Sequence, residues 1–504
     1  MPHPRIFATL GFLGLSISAG TSAGSTAIAT QPPAPSPEAS TIIARALAPS
    51  ALEEDLRHLT DDIGGRISGS PEMARAVAWA VTAFHNAGVA THTESYKQTL
   101  TWREGATRLE ILGSTQFPIS LAAEGWSAST PSDGIEAELV SVGDGSETDF
   151  AQKAQRTRGA ILLVNSNITE TWADLFNEYD RTPAIIKQAT DSGARAILWS
   201  SARARRLLYR HTDTLKGELS NLPMAIVARE DALRLARLSA HAATPLRVRF
   251  VMPNSIDGPI EAHNVVGEIR GRELPDEVVI LGAHLDSWDL GTGALDNGCN
   301  AAMLIAAART LKESGVHPRR TIRFVLFSGE EQGMLGSRAY VTQHQVELDR
   351  IRAMLVFDAG DGQITGYQLS GRPDLKAGLQ EALKPLSGFD VDHPTLDGDL
   401  GSDNVDFMLQ GIPTLIAAQE PASYMQNYHA ASDTYDKVNM RQLRLNLAIA
   451  AVTAYEIANL AQPLGVRQSR KEIEDVLART GFDKQMKSEG LWAEWAAGTR
   501  GRFP

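Results

Sequence analysis

The chain has 504 residues, 43% hydrophobic and 21% charged, enough for two or three domains with cores of their own. A formal net charge of -12 argues against a nucleic acid partner, since phosphate binding needs a basic face. The single cysteine, Cys299, rules out an intramolecular disulfide, so stability must come from packing.

The N-terminus reads as an export signal. Arg5 gives a weak positive start, residues 6–17 an apolar run, and Thr21-Ser22-Ala23 or Ala27-Ile28-Ala29 a small-residue cleavage site. Residues 1–29 are therefore expected to be a signal peptide, and the protein to be secreted or periplasmic. No cysteine follows that could take a lipid, and no later run reaches the ~18 apolar residues of a membrane span. Residues 30–40, rich in Pro and Ser, are expected as a disordered linker.

Leu52, Leu56, Leu59 and Ile63 keep a helical spacing, and residues 73–87 repeat it. Between them lies a turn-rich loop, Gly64-Gly65-Arg66-Ile67-Ser68-Gly69-Ser70. Residues 94–123 shift to short alternating stretches that predict strands. A second block, 134–250, has apolar runs at 137–142, 159–164, 194–199 and 222–227 with helical stretches between them. That alternation predicts a small α/β unit. It shows no nucleophile or ligand cluster, and its Arg203, Arg205, Arg206 and Arg210 read as a solvated helix face.

The third block, from 264 to about 461, has the strongest periodicity. An apolar run at 277–281 ends in Gly282-Ala283-His284. A run at 321–327 ends at Ser328-Gly329-Glu330-Glu331, one at 353–357 ends at Asp358, and a fourth spans 413–417. Helical stretches at 301–311, 374–383 and 441–460 lie between and after them. Strand–helix alternation predicts an α/β fold, a mostly parallel sheet with helices on both faces. Residues 41–133 and 251–465 then form one unit interrupted by the second block. The extension 466–504, charged and carrying Trp492 and Trp495, fits either a docking helix or an oligomer contact such as a homodimer.

His284, Asp296, Glu331, Asp358 and His429 stand at strand ends or in short turns, where open α/β sheets build their sites. Zinc takes imidazole nitrogen and carboxylate oxygen and keeps a position open for water. Two such ions, about 3.5–4 Å apart, need a shared carboxylate and turn water into a nucleophile near neutral pH. Five ligands with one bridge give each ion three. Glu330, beside Glu331, is then a ready general base. Asp286 lies two residues after His284 on an extended segment, so its carboxylate is expected to accept the other ring N–H of His284. Cys299 reads as a small buried residue at a helix start.

These residues resemble the two-zinc aminopeptidase family that includes leucyl aminopeptidases and glutamate carboxypeptidase II. The matching pieces occur in family order: Gly282-Ala283-His284-Leu285-Asp286-Ser287, Gly293-Ala294-Leu295-Asp296-Asn297-Gly298, Gly329-Glu330-Glu331-Gln332-Gly333, Phe357-Asp358-Ala359-Gly360 and Tyr428-His429-Ala430-Ala431-Ser432-Asp433-Thr434. Asp286-Ser287-Trp288-Asp289 and Gly65-Arg66-Ile67-Ser68-Gly69-Ser70 are similar to the plasma glutamate carboxypeptidase (carboxypeptidase Q) branch. The resemblance implies a protease-associated domain at 134–250 and two zinc ions. His284, Asp296 and Asp358 would hold one ion; Asp296, Glu331 and His429 would hold the other. It further implies Glu330 as base, Asp286 as orienter and Tyr428 as oxyanion stabiliser. It also implies a non-proline cis peptide between Asp296 and Asn297. Cys299-Asn300 departs from the small residues the family often has there.

The implied activity is hydrolysis of short peptides by an exported exopeptidase. A glutaminyl-cyclase-like acyltransferase and a non-catalytic receptor on the same fold are the alternatives. Each would be expected to lack part of this residue set.

Overall fold

The computed structural model describes residues 35–212 and 216–503. The expected signal peptide and residues 30–34 of the expected linker lie outside them. Regular structure begins before the expected linker end at Ser40. Ser36 caps the helix Pro37–Leu47 by accepting the Ala39 N–H at 3.1 Å, and Pro37 opens its first turn. Ala39, Ile42 and Ala46 are buried in the main core, and that burial makes an ordered helix of a stretch whose composition alone suggests disorder.

Among the described residues the strands form two seven-stranded sheets and one two-stranded pair. The first sheet runs, in space, Ala90–Gln98, Ile260–Ile269, Arg320–Phe327, Leu274–His284, Ile351–Val356, Thr414–Gln419 and Ile364–Gln368. Its four central strands are parallel and its outer pairings antiparallel. Successive side chains of the central strands enter opposite cores. Val279, Leu281 and Ala283 face the helices Cys299–Glu313 and Met440–Asn459, while Val278 and Ile280 join Tyr340 and Phe407 on the other side. Burial on both faces is why these strands read as unbroken apolar runs.

The second sheet runs Arg108–Leu112, Arg247–Val251, Ile135–Ser141, Ile161–Val164, Ala196–Ser200, Met224–Val227 and Leu121–Ala123. Two of these strands precede residue 134, so the second unit starts earlier than the sequence boundary. Alternation identified them as strands but carries no information on pairing partners. Leu109 opposite Phe250 and Leu121 opposite Val227 decide the sheet they join. The arginine cluster is also corrected. Residues 201–210 are not helical, and Arg203 and Arg210 are buried. Arg210 pairs with Glu104 (2.5 Å) and Asp289 (3.0 Å), which ties the two units together.

The C-terminal extension docks on its own chain. Ile473, Leu477, Phe482 and Trp495 pack on Leu400, Val405 and Leu409. The Arg500 guanidinium makes a two-pronged buried pair with Asp406 at 2.8 and 2.7 Å.

One surface cluster makes stability pH-dependent. His344 lies 3.0 Å from Glu94 and 2.7 Å from Glu347. Burial opposes its charge, but the two carboxylates raise its pKa to about 9, above the ordinary 6.5. That contribution is complete below 6.5 and is lost as pH rises through about 9. Chemical unfolding should show the stability deficit of His344→Gln shrinking by about 1–2 kcal/mol from about pH 6 to 10, solvent screening included. An equal deficit at both ends would contradict the assignment.

Candidate metal centre

Three parallel strands deliver candidate ligands at their carboxyl ends. His284 ends its strand, Glu331 follows Arg320–Phe327, and Asp358 follows Ile351–Val356. Asp296 sits in the turn Ala294–Gly298 that feeds the helix Cys299–Glu313, and the Asp296–Asn297 peptide is cis, as the sequence resemblance implied. His429 follows the short helix Tyr424–Asn427 with φ +56°, an uncommon value for a residue with a side chain.

The five expected ligands converge. Asp296 Oδ1 is 3.1 Å from His284 Nε2, which is 3.0 Å from Asp358 Oδ1. The other oxygen, Asp296 Oδ2, is 3.2 Å from His429 Nε2, which is 2.9 Å from Glu331 Oε2. Two groups result, His284–Asp296–Asp358 and Asp296–Glu331–His429, each with donor atoms within 4.8 Å of one another. Asp296 belongs to both. Asp296 Oδ2 and Glu331 Oε1 are buried without a hydrogen-bond partner. Buried carboxylate oxygens are costly unless a cation or donor meets them, and imidazole-plus-carboxylate sets suit zinc. The residues therefore fit divalent cations.

Electrostatics follow the crowding. Burial opposes ionisation of Asp296, yet the neighbouring imidazoles of His284 and His429 hold it below the carboxylate range. Burial pushes Glu331 up to about 7 and raises Asp358. Glu330 lies in neither donor group. Burial pushes its carboxyl well above the ordinary range; His284 opposes, and Asp358 and Glu331 add to the push.

Asp286 acts differently from the expectation. His284 Nδ1 is 3.0 Å from the Asp286 backbone carbonyl but 3.8 Å from its carboxylate. The strand ends at His284, so the alternation that would set residues i and i+2 on one face stops there. The carboxylate accepts the N–H groups of Glu330 (3.2 Å) and Glu331 (3.3 Å) and so fixes the loop that carries both. Tyr428 stacks on the His429 ring, centroids 3.7 Å apart, with its hydroxyl 2.9 Å from that of Tyr179.

Other residues hold the site although the sequence assigned them no role. Asp433 accepts the N–H groups of Ala294 (3.1 Å), Leu295 (2.7 Å) and Asp296 (3.1 Å), and so clamps the Asp296 turn. The fully buried Arg66 donates to the carbonyls of Leu285 (2.7 Å), Gly64 (3.0 Å), Thr292 (2.7 Å) and Gly293 (3.0 Å). It joins the loops after His284 and before Asp296, which explains its turn-rich segment. Ser402 donates to Asp358 Oδ2 at 2.6 Å. Asn297 Nδ2 donates to the Phe357 carbonyl at 2.8 Å, and Asn300 Nδ2 to Asn297 Oδ1 at 2.7 Å. Cys299 is buried, as expected. Asp433 and Arg66 lie inside segments the sequence marks; Ser402 carries no such signal.

The second sheet unit, which contributes no residue to either donor group, nevertheless packs against the site. Its helix Trp172–Ser192 packs Leu175 and Tyr179 against Leu295, Tyr424, Met425 and Tyr428. His211 Nδ1 stands 2.9 Å from His429 Nδ1. Burial, with His429 adding, holds His211 well below the ordinary histidine range. Trp288, from the segment after His284, meets Trp126 edge-on at 6.2 Å, and Trp126 stacks on Trp102 at 6.1 Å.

The family model for Peptidase family M28 matches residues 264–454. Carboxypeptidase Q from Homo sapiens is 28% identical over 419 residues, covering 82% of this chain and 86% of that one. The solved structure of a peptidase M28 precursor from Shewanella amazonensis superposes with a TM-score of 0.76 at 26% identity, covering 86% of this chain and 98% of the other. A zinc aminopeptidase from Bacillus subtilis shares the fold, with a TM-score of 0.64 at 22% identity over 83% of this chain and 95% of its own.

Proposed function

The chain belongs to peptidase family M28, and from that premise we propose that it is an exported zinc exopeptidase that hydrolyses short peptides or dipeptides. One observation carries the reading: the two oxygens of Asp296 face two different imidazoles, each backed by a further carboxylate. His284, Asp296 and Asp358 would hold one zinc ion; Asp296, Glu331 and His429 would hold a second. Such ions, when bound, acidify water and polarise the scissile carbonyl.

The remaining chemistry falls to side chains. Glu330 takes the proton of the attacking water and hands it to the leaving amine; burial holds its carboxyl above the ordinary carboxylate range. Asp286 keeps Glu330 and Glu331 in place through their backbone N–H groups. Tyr428 donates a hydrogen bond from its hydroxyl to the carbonyl oxygen as that oxygen gains charge. The helix carrying Leu175 and Tyr179 walls one side of the centre, which favours short substrates over folded chains. We assign this second unit to a protease-associated insert and residues 1–29 to export. No helix among the described residues is long and apolar enough to cross a membrane.

Free dipeptides, amino-blocked and carboxyl-amidated peptides, and a long doubly blocked peptide form the test panel. Chelation should abolish hydrolysis of the free dipeptides and zinc should restore it, while the doubly blocked peptide stays intact. Hydrolysis that survives complete chelation, or efficient internal cleavage, would overturn the reading. Cyclisation of amino-terminal glutamine without hydrolysis would assign the chain to the acyltransferase alternative.

A further inference from the structure

The second sheet unit pairs its backbone with the loop that carries His429. The Arg210 N–H donates to the His429 carbonyl at 3.0 Å and the Ala431 N–H to the Leu208 carbonyl at 2.9 Å, with Tyr209 bridged to Ala430 between them. The buried Arg210, paired with Glu104 and Asp289, anchors this segment. The pairing sets the ring of His211 against that of His429, centroids 4.8 Å apart at 72°, with Nδ1 facing Nδ1 at 2.9 Å. On the far side, His211 Nε2 lies 3.8 Å from Glu178 Oε1. Glu178 is itself held by the Tyr209 hydroxyl and by Thr169 Oγ1 at 2.9 Å.

Two N–H groups cannot face one another at that separation, so one ring donates and the other accepts. His429 Nε2 points at Asp296 and Glu331. A ligating Nε2 needs its lone pair, which leaves the ring proton on Nδ1. His429 therefore donates and His211 accepts, with the His211 proton on Nε2, toward Glu178. We propose that His211, supplied by the second unit, is the positioning residue of His429. It fixes the tautomer and ring angle with which His429 meets its cation. Carboxylates and backbone carbonyls usually do this for metal-bound histidines.

The same arrangement orients Tyr428. The Tyr179 hydroxyl is 3.2 Å from His211 Nδ1 and 2.9 Å from the Tyr428 hydroxyl. The single lone pair on His211 Nδ1 already receives the His429 proton, so Tyr179 donates to the Tyr428 oxygen. Tyr428 then keeps its own proton free for the substrate. A Tyr428 that donated to Tyr179 could not stabilise an oxyanion. The unit without ligands of its own thus completes the reaction centre.

The proposal rests on the zinc reading above, and the test separates the two. His211→Phe keeps a ring and removes both nitrogens; His211→Asn keeps an acceptor near the place of Nδ1. In competition with a zinc chelator, H211F should release one ion about 10–100-fold more readily than the parent while the other ion is unchanged. H211N should stay within about 3-fold of the parent, since it keeps the acceptor. Tyr179→Phe should retain both ions and lower kcat about 10-fold at unchanged KM, the split expected of a group acting only in the transition state. Nitrogen-15 histidine spectra of the zinc-loaded parent need no variant, and should show His429 protonated at Nδ1 and His211 not. Parent-like zinc retention by H211F, equal losses in H211F and H211N, or a proton on His211 Nδ1 would overturn the positioning role. An unchanged kcat in Y179F would overturn the orientation of Tyr428. A parent that binds no zinc would overturn the zinc reading itself, and the proposal with it.

Discussion

Glu330→Gln leaves the zinc content of the protein unchanged and lowers kcat by about 10²–10⁴-fold, the range for removal of a general base. The amide matches the carboxylate in size and still forms hydrogen bonds, but it cannot carry a proton from water to the leaving amine. Glu330 lies outside both donor groups, so its replacement does not remove a ligand. Its backbone N–H, held by Asp286 at 3.2 Å, is untouched by the exchange. KM should therefore change little while kcat collapses. Metal analysis beside steady-state kinetics on a free dipeptide checks both halves. A kcat within a few-fold of the parent would move the proton transfer to another group. A loss of zinc would make Glu330 a ligand.

Asp296→Ala removes activity altogether. The residue supplies one oxygen 3.1 Å from His284 Nε2 and another 3.2 Å from His429 Nε2, so its loss opens both donor groups at once. His284→Ala, Glu331→Ala and His429→Ala each open one group and should each lose one ion. For D296A, zinc retention after dialysis should fall below that of any of these, with affinity down by at least about 100-fold, the upper end of what outer-sphere changes cost. The fold should persist. The helix Cys299–Glu313 that follows is buried along its length against the main core, and a smaller side chain at 296 leaves that packing intact. Two tightly held zinc ions in D296A would end the bridging assignment.

The sequence by itself determined the parts of this protein that depend on local pattern. Apolar runs such as 277–281 and 321–327 announce strands buried on both faces, and the residues that follow them announce where the candidate ligands stand. His284, Asp296, Glu331, Asp358 and His429 were legible because each chemical type falls at a strand end or turn in family order, and the structure brings all five together. Glu330 was legible as the neighbour of a ligand, and Arg66 and Asp433 were inside marked segments though without a role.

Tertiary structure alone decided what depends on pairing between distant segments. Alternation predicted strands within 94–123, but only the register of Arg108–Leu112 against Arg247–Val251 assigned that strand to the second sheet. A run of arginines looks solvated until Glu104 and Asp289, far along the chain, close around Arg210. Asp286 was expected to hold His284 with its carboxylate; the end of the strand turned that carboxylate toward the backbone of Glu330 and Glu331 instead. His211 is the sharpest case. Nothing in its neighbourhood marks it, and it meets His429 only because residues 208–211 align beside the ligand loop. Local spacing records which side chains share a face. It carries no record of which faces meet, because that is set by the packing of whole elements.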